Sequence, residues 1–342
     1  VNAIVSAPPA RRTPRRAPVL LMSLLVALVV SVALSLVLGS NNLGLGTAVR
    51  VLLHDEGSEA ATIVRDLRLP RTTLGVLVGL ALGAAGVLMQ GHTRNPLADP
   101  GLLGINAGAA LAVALAAQLF GIGDPRGQVV FGFAGALIAT AAVFAIGSTG
   151  RQLNAVPMAL AGAAVMALLS TFTSLVVLSD NPTLDVYRRW VVGSVSGRDA
   201  SISATVLPFV VAGLVLAMIN TRALNAVSLG EDTARGLGQS VAVSRLVGLT
   251  AVTLLAGAAT AAAGPITALG LIVPHVVRAV TGPDHRWLVP CSALAGAVLL
   301  LLADVVGRLV AGPAEIPAGI TLAVLGGGAF VVIARRTRMA KL

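Results

Sequence analysis

Read from its start, the chain is a succession of apolar stretches separated by short polar breaks, and ten of these stretches approach the length of a membrane span. A hydrocarbon layer about 30 Å thick takes roughly 20 apolar residues per helix. The stretches lie near 19–39, 68–92, 105–120, 128–149, 157–179, 201–220, 243–263, 266–282, 289–310 and 316–334. Such runs are predicted to be helical, because only a helix satisfies its own backbone hydrogen bonds where water is absent. Several are short or broken by glycine and proline, notably around Gly264-Pro265 and between Gly312 and Pro317, so that the seventh and eighth also read as one interrupted span. No linker or shift of composition divides the chain. It reads as one integral-membrane domain at 19–334, between a cytoplasmic tail at 1–18 and another at 335–342.

The polar breaks carry the orientation. With both termini in the cytoplasm, 15 of the 24 basic residues fall inside, joined only by Asp99, Glu231, Asp232 and Asp284 among the acids. That asymmetry follows the positive-inside rule, and an odd number of crossings destroys it. The first apolar stretch, after Arg15 and Arg16, is read as a span; a cleaved export signal has a shorter core, roughly 7–15 residues, followed by a small-residue cleavage site.

Composition agrees and removes several functions. At 56% hydrophobic, 11% charged and a mean hydropathy of +0.92, 342 residues hold too little polar surface to coat a water-soluble globule. Glycine is abundant, and Gly75, Gly79 and Gly83 form a four-residue ladder of the kind that lets helix backbones approach in lipid. Codon bias would explain the abundance but not the spacing. The net charge of +10 is dispersed between apolar runs without interleaved aromatics, which gives no nucleic-acid surface. Lys341 is the only lysine, so a phosphate-binding loop ending in Lys-Ser or Lys-Thr is absent and any ATP-driven step belongs to a partner. One cysteine, Cys291, and four scattered histidines provide no metal-ligand spacing. The acids are dispersed among loops, against a membrane-embedded enzyme. The central parts of the spans hold essentially no ionisable group, against an ion-coupled secondary transporter.

The motifs that remain have a consistent order: Arg68-Leu-Pro-Arg71, Asn95-Pro-Leu-Ala-Asp-Pro-Gly-Leu-Leu-Gly104, Leu160-Ala-Gly162, Trp190-Val-Val-Gly-Ser194, Ser228-Leu-Gly-Glu-Asp-Thr-Ala-Arg-Gly-Leu-Gly238, Gly264-Pro-Ile266, Gly270-Leu-Ile-Val-Pro-His275, Asp284-His-Arg286 and Leu302-Ala-Asp304. Together they resemble the FecCD/BtuC-type permease family, the membrane subunits of importers for ferric siderophores, haem and vitamin B12. The resemblance implies an all-α, ten-helix, BtuC-like (type II ABC importer) permease fold in the bacterial plasma membrane. It also implies a non-catalytic subunit that binds no cofactor. The implied partners are a second permease, two cytoplasmic ATPase subunits that use ATP and Mg, and an external substrate-binding lipoprotein. Thr93-Arg-Asn-Pro and Arg222-Ala-Leu-Asn225 look most like permeases of the ferric-enterobactin type, which implies a ferric-siderophore cargo and favours a heterodimer over a homodimer. Haem and cobalamin are the alternative cargoes. The family usually has Gly-Ala-Pro or Gly-Gly-Pro in its last span, where this chain has Gly326-Gly327-Gly328.

Residue by residue, the same resemblance implies three sites. Arg68 and Arg71 begin the second span beside Pro70, which is read as fixing where that helix starts; with Arg308 they are expected to face outward and become docking points for carboxylates of the binding protein, a task suited to the planar guanidinium fork. The other reading of these arginines is that they snorkel to headgroups or pair with Asp66 and Asp304. Residues 221–240 become the segment seated in the ATPase, carried by Ser228, Leu229, Gly230, Glu231, Ala234, Arg235, Leu237 and Gly238. Here two short helices are expected, broken by glycine, with Ser228 and Glu231 placed for a capping box and the two leucines as knobs. A plain amphipathic surface helix is the alternative. Asn95, Pro96, Leu97, Leu160, Ala161 and Gly162 become a cytoplasmic gate, or else a structural turn. Trp190 reads as an interfacial anchor or as part of the pathway mouth, and His275 as a packed structural residue; neither is given a binding function.

Overall fold

The computed structural model describes residues 16–39, 43–54, 57–147, 155–311 and 314–339, with the backbone alone at 155–156 and 329–339. Most of the tail assigned to 1–18, with Arg11, Arg12 and Arg15, and the chain end with Lys341 lie outside the described residues. Among the described residues all regular structure is helical. The elements are α1 (Arg16–Val37), α2 (Leu45–Leu53), α3 (Glu59–Ala61), a π-helical stretch (Thr62–Arg68), α4 (Leu69–Thr93), a 3₁₀ turn (Pro100–Leu103), α5 (Ile105–Phe120), α6 (Pro125–Gly147), α7 (Ala155–Ser179), α8 (Asn181–Val191), α9 (Ala200–Ser228), α10 (Glu231–Gly236), α11 (Val241–Ala263), α12 (Leu269–Thr281), α13 (His285–Val310) and α14 (Ala318–Met339). Among the described residues, seven helical segments are long and apolar enough to cross a membrane, and three shorter apolar helices, Ile105–Phe120, Leu269–Thr281 and Ala318–Gly328, complete the ten expected spans.

One boundary differs from the sequence reading, and at another the ten-span count is borne out over the single interrupted span. Pro70 does not start the second span, since the helix runs unbroken from Glu59 to Thr93. Proline lacks an N–H and crowds the preceding turn. The π-helical stretch opens that turn, and the Leu69 N–H reaches back five residues to the Val64 carbonyl. The seventh and eighth spans are separate helices, because the chain breaks at Gly264, whose φ of 77° no other residue adopts without strain, and restarts after Ala268.

At the centre lie α4 and α11, each with 78% of its apolar window buried, against 17% for α1 and 28% for α7. The helices with lipid-like exposure therefore surround two that read as equally apolar. The ladder Gly75-Gly79-Gly83 is the seam between α4 and α13: a Cβ on Gly75 would sit 2.8 Å from Leu301 Cδ2, and on Gly79 or Gly83 it would overlap the α13 backbone at Ala297 or Ser292. Close backbone approach of this kind supplies the dispersion that holds helices together in lipid. In α14 the helix continues through Gly326-Gly327-Gly328; Gly326 is buried against Ile272 and Ala268, while Gly327 and Gly328 face open space.

Candidate functional site

The seam between α4 and α13 fixes what the arginines touch. Arg71, one turn into α4, and Asp304, in the last third of α13, are 233 residues apart in sequence. The Arg71 guanidinium donates to Asp304 through Nε at 2.9 Å and Nη2 at 2.8 Å, a bidentate grip. Its remaining Nη1 donates to Glu315 Oε2 at 2.6 Å and to Ser196 Oγ at 3.2 Å. One helical turn from Asp304, Arg308 places Nε 3.3 Å from the same carboxylate and donates through Nη1 to the carbonyls of Ser35 and Leu38. Arg68 donates to the carbonyls of Leu36 and Val37. Arg68 and Arg308 thus bind the C-terminal end of α1, where unpaired carbonyls concentrate negative charge.

All three arginines are buried, at 6%, 8% and 3% exposure for Arg68, Arg71 and Arg308. The sequence reading placed them facing outward; the structure brings them to one end of the bundle but turns their charged ends onto internal acceptors. The pairing with Asp304 set beside docking is present for Arg71 and Arg308. Asp66 is exposed. Glu315 and Ser196 were missed. The available signal was faint: Glu315 is a lone acid in a loop rich in glycine and proline.

Glu315 lies outside the spanning helices and is the exposed member of this cluster. Partial burial raises its carboxyl pKa, but the Arg71 hydrogen bond and charge outweigh that, and the net shift is downward.

At the other end of α4 lies the segment between α9 and α11. Ser228 does not cap a new helix. Helix α9 runs through it for 29 residues, and the Ser228 hydroxyl donates to the Asn225 carbonyl at 2.7 Å. The expected first short helix is therefore the end of α9, and the N-cap of α10 is Gly230, with φ 119°. Leu229 and Leu237 are 68% and 62% exposed on either side of α10. Ala234 is buried, whereas Arg235 and Gly238 are exposed. Glu231 pairs with Arg245 of α11 at 2.5 Å and with Arg235 at 3.4 Å. The helix is thereby held by its acid to the bundle while its leucines stay uncovered.

The hairpin between α4 and α5 leaves Asn95, Pro96 and Leu97 exposed. Asn95 Oδ1 accepts from the Leu97 N–H at 2.9 Å, and Asp99 caps the 3₁₀ turn by accepting from the Gly101 N–H at 2.7 Å. Burial raises the Asp99 pKa, partly opposed by that bond. Of the second half of this site, Gly162 packs directly on the Leu102 carbonyl, Ala161 is buried and Leu160 is exposed. The start of α7 thus rests on the 3₁₀ turn. Beside it a polar cluster joins three helices: Asn220 Nδ2 lies 2.8 Å from His92 Nε2, and the Ser244 hydroxyl donates to Asn220 Oδ1 at 2.9 Å. Trp190 is a core residue with 1% exposure, which corrects its reading as an interfacial anchor. His275 is half-buried.

A bundle of this kind, with buried charge at one end and uncovered apolar knobs at the other, is a multi-pass membrane permease. Residues 27–336 match the model of the FecCD transport family. The chain belongs to that family, whose members here are permease subunits of ABC importers. It is 44% identical to the ferric enterobactin transport system permease protein FepD of Escherichia coli K12, over 88% of this chain and 90% of that one. It is 38% identical to the hemin transport system permease protein HmuU of Yersinia pestis, over 89% and 92%. A solved metal-chelate type ABC transporter in an inward-facing conformation superposes with a TM-score of 0.81 at 28% identity, covering 93% of this chain and 99% of that one.

Proposed function

We propose that this permease forms the translocation pathway for a ferric siderophore, in the bacterial plasma membrane with both termini cytoplasmic. It pairs with a second, different permease, receives cargo from an external binding lipoprotein and is driven by two ATPase subunits using ATP and Mg. The observation that carries the coupling is α10, a six-residue helix anchored through Glu231 to Arg245 and flanked by exposed Leu229 and Leu237. Apolar knobs on a short anchored helix suit a groove in another protein better than a lipid surface, because α10 carries both charge signs and no basic face. Closure of the ATPase pair would push on α10, and the Glu231–Arg245 pair would pass that push to α11, at the bundle centre. The result is a shift between two helix arrangements, with no chemistry on this chain.

Docking of the binding protein is assigned to the arginine end through Arg71, with Arg68 and Arg308 holding α1 in place beneath it. The gate is assigned to the 95–97 hairpin and to residues 160–162, where α7 meets the 3₁₀ turn. The identity to the enterobactin permease supports a ferric catecholate as cargo, and the identity to the hemin permease supports haem as the second reading.

The test is uptake into vesicles holding the whole transporter, with ferric catecholate and haem offered in parallel. Replacing Leu229 and Leu237 together by Asp is expected to abolish ATP-driven uptake while the helical content stays unchanged. Uptake that survives the double substitution overturns the proposal.

A further inference from the structure

Two cavities at the arginine end share one wall. The first, of about 180 Å³, is lined by Arg68, Arg71, Arg308 and Glu315 among others. The second, of about 280 Å³, is lined by Arg71, Arg189, Ser194, Ser196 and Glu315. Arg71 and Glu315 line both, and they are bonded to each other at 2.6 Å. This ion pair is the partition.

The two carboxylates on Arg71 are unlike. Asp304 is 1% exposed and grips two guanidinium nitrogens from within a helix. Glu315 is 36% exposed, sits in the loop before α14 and holds Arg71 through one oxygen, which also accepts from Ser196 Oγ at 3.0 Å. One partner is buried and held by two guanidinium nitrogens, the other is exposed and held by one. With Glu315 swung outward the wall between the two cavities opens, and Arg71 and Arg189 line the cleft that results. Arg189 is exposed and has no ion-pair partner among the described residues. Such a cleft fits a carboxylate on a protruding side chain.

We infer that Glu315 is a resident carboxylate on the docking position of Arg71, exchanged for a carboxylate of the external binding protein when that protein lands, with Arg189 as an additional contact. This rests on the docking reading above. The exchange is charge-neutral, so no buried guanidinium is left unpaired at any stage. It also reaches α14. The Ile316 N–H donates to the Gly307 carbonyl at 3.2 Å and the Gly319 N–H to the Gly193 carbonyl at 2.9 Å, so the loop that releases Glu315 is the one that seats the start of α14.

The experiment is a titration of the complete transporter, in lipid nanodiscs, with its binding protein. Glu315→Gln is expected to tighten binding by about two- to fivefold, the worth of one partly exposed ion pair that no longer has to be broken. Asp66→Asn, an exposed acid on the same helical segment as Arg71, measures the general effect of removing a negative charge and is expected to change binding less than twofold. Arg71→Gln with Asp304→Asn, which leaves the net charge unchanged and leaves Arg308 its carbonyl acceptors on α1, is expected to weaken binding at least tenfold and to abolish the gain from Glu315→Gln. Arg71→Lys serves in its place if the double variant does not fold. If the Arg71 variants bind normally, the docking reading itself falls, and this inference with it. If they bind weakly but Glu315→Gln is unchanged, weakened, or no different from Asp66→Asn, docking stands and the exchange is overturned.

Discussion

Replacing Asp304 by Asn removes one charge and almost no volume from a side chain that is 1% exposed. In the parent protein that carboxylate accepts from Arg71 at 2.9 and 2.8 Å and lies 3.3 Å from Arg308. At about 3 Å, and with an effective dielectric of about 20, each such contact has a gross attraction of roughly 5 kcal/mol, most of it offset by desolvation. Breaking a buried pair by removing one partner costs about 3–5 kcal/mol. Here Arg71 keeps Glu315, and Arg308 keeps the carbonyls of Ser35 and Leu38, so the expected loss for Asp304→Asn is about 3 kcal/mol, at the lower end of that range. Reversible unfolding in mixed detergent micelles measures it. Combining Asp304→Asn with Arg71→Gln should recover at least about 2 kcal/mol of what the single changes lose, since the pair acts as a unit. If Asp304→Asn unfolds within about 1 kcal/mol of the parent, and the double variant shows no coupling, the buried node does not hold α4 to α13.

Three further outcomes follow from the geometry. Gly83→Leu forces a side chain into the α13 backbone at Ser292 and should cost well over the roughly 1–3 kcal/mol typical of overpacking, read as loss of folded protein after detergent extraction, whereas Gly327→Ala, facing open space, should be silent. Glu231→Gln should speed backbone hydrogen exchange in α10 and lower the coupling of ATP hydrolysis to uptake while costing only about 1 kcal/mol of stability, because its pair with Arg245 is partly exposed; unchanged exchange would refute the anchoring role. The Glu315 pKa is lowered by Arg71, so the stabilisation from that pair is present above the ordinary value of 4.5 and is lost as pH falls through the lower, folded-state value. Stability of the parent minus that of Glu315→Gln should therefore stay constant from neutral pH to about 5 and shrink only below 4.5, and a difference that vanishes near pH 6 would contradict the pairing.

Much of the architecture was legible because lipid leaves a chain few options. Runs such as 128–149 and 201–220 must be helical; the helix Ala200–Ser228 covers the second, and Pro125–Gly147 covers the first as far as the described residues reach. The ladder Gly75-Gly79-Gly83 announced a close helix contact, since small residues four apart share one face. It did not say which helix would come. Ser228 misled for a local reason: Ser-x-x-Glu fits a helix start, but the hydroxyl found the Asn225 carbonyl of a helix already running. Pro70 misled because a π-helical stretch absorbs what an ordinary helix cannot.

The amino-acid order by itself determined the class: ten apolar helices, no phosphate loop of its own, and motifs in the sequence of a known permease family. Hydrophobic length and local pattern are properties of neighbouring residues, so they are readable along the chain. What only tertiary structure decided is which charges meet. Asp304 reaches Arg71 across 233 residues because the glycine seam sets α4 against α13, and Glu315 closes the same guanidinium because the loop before α14 is tied to Gly307 and Gly193. Charge partners are chosen by helix packing, and packing depends on surfaces that no local stretch of sequence contains.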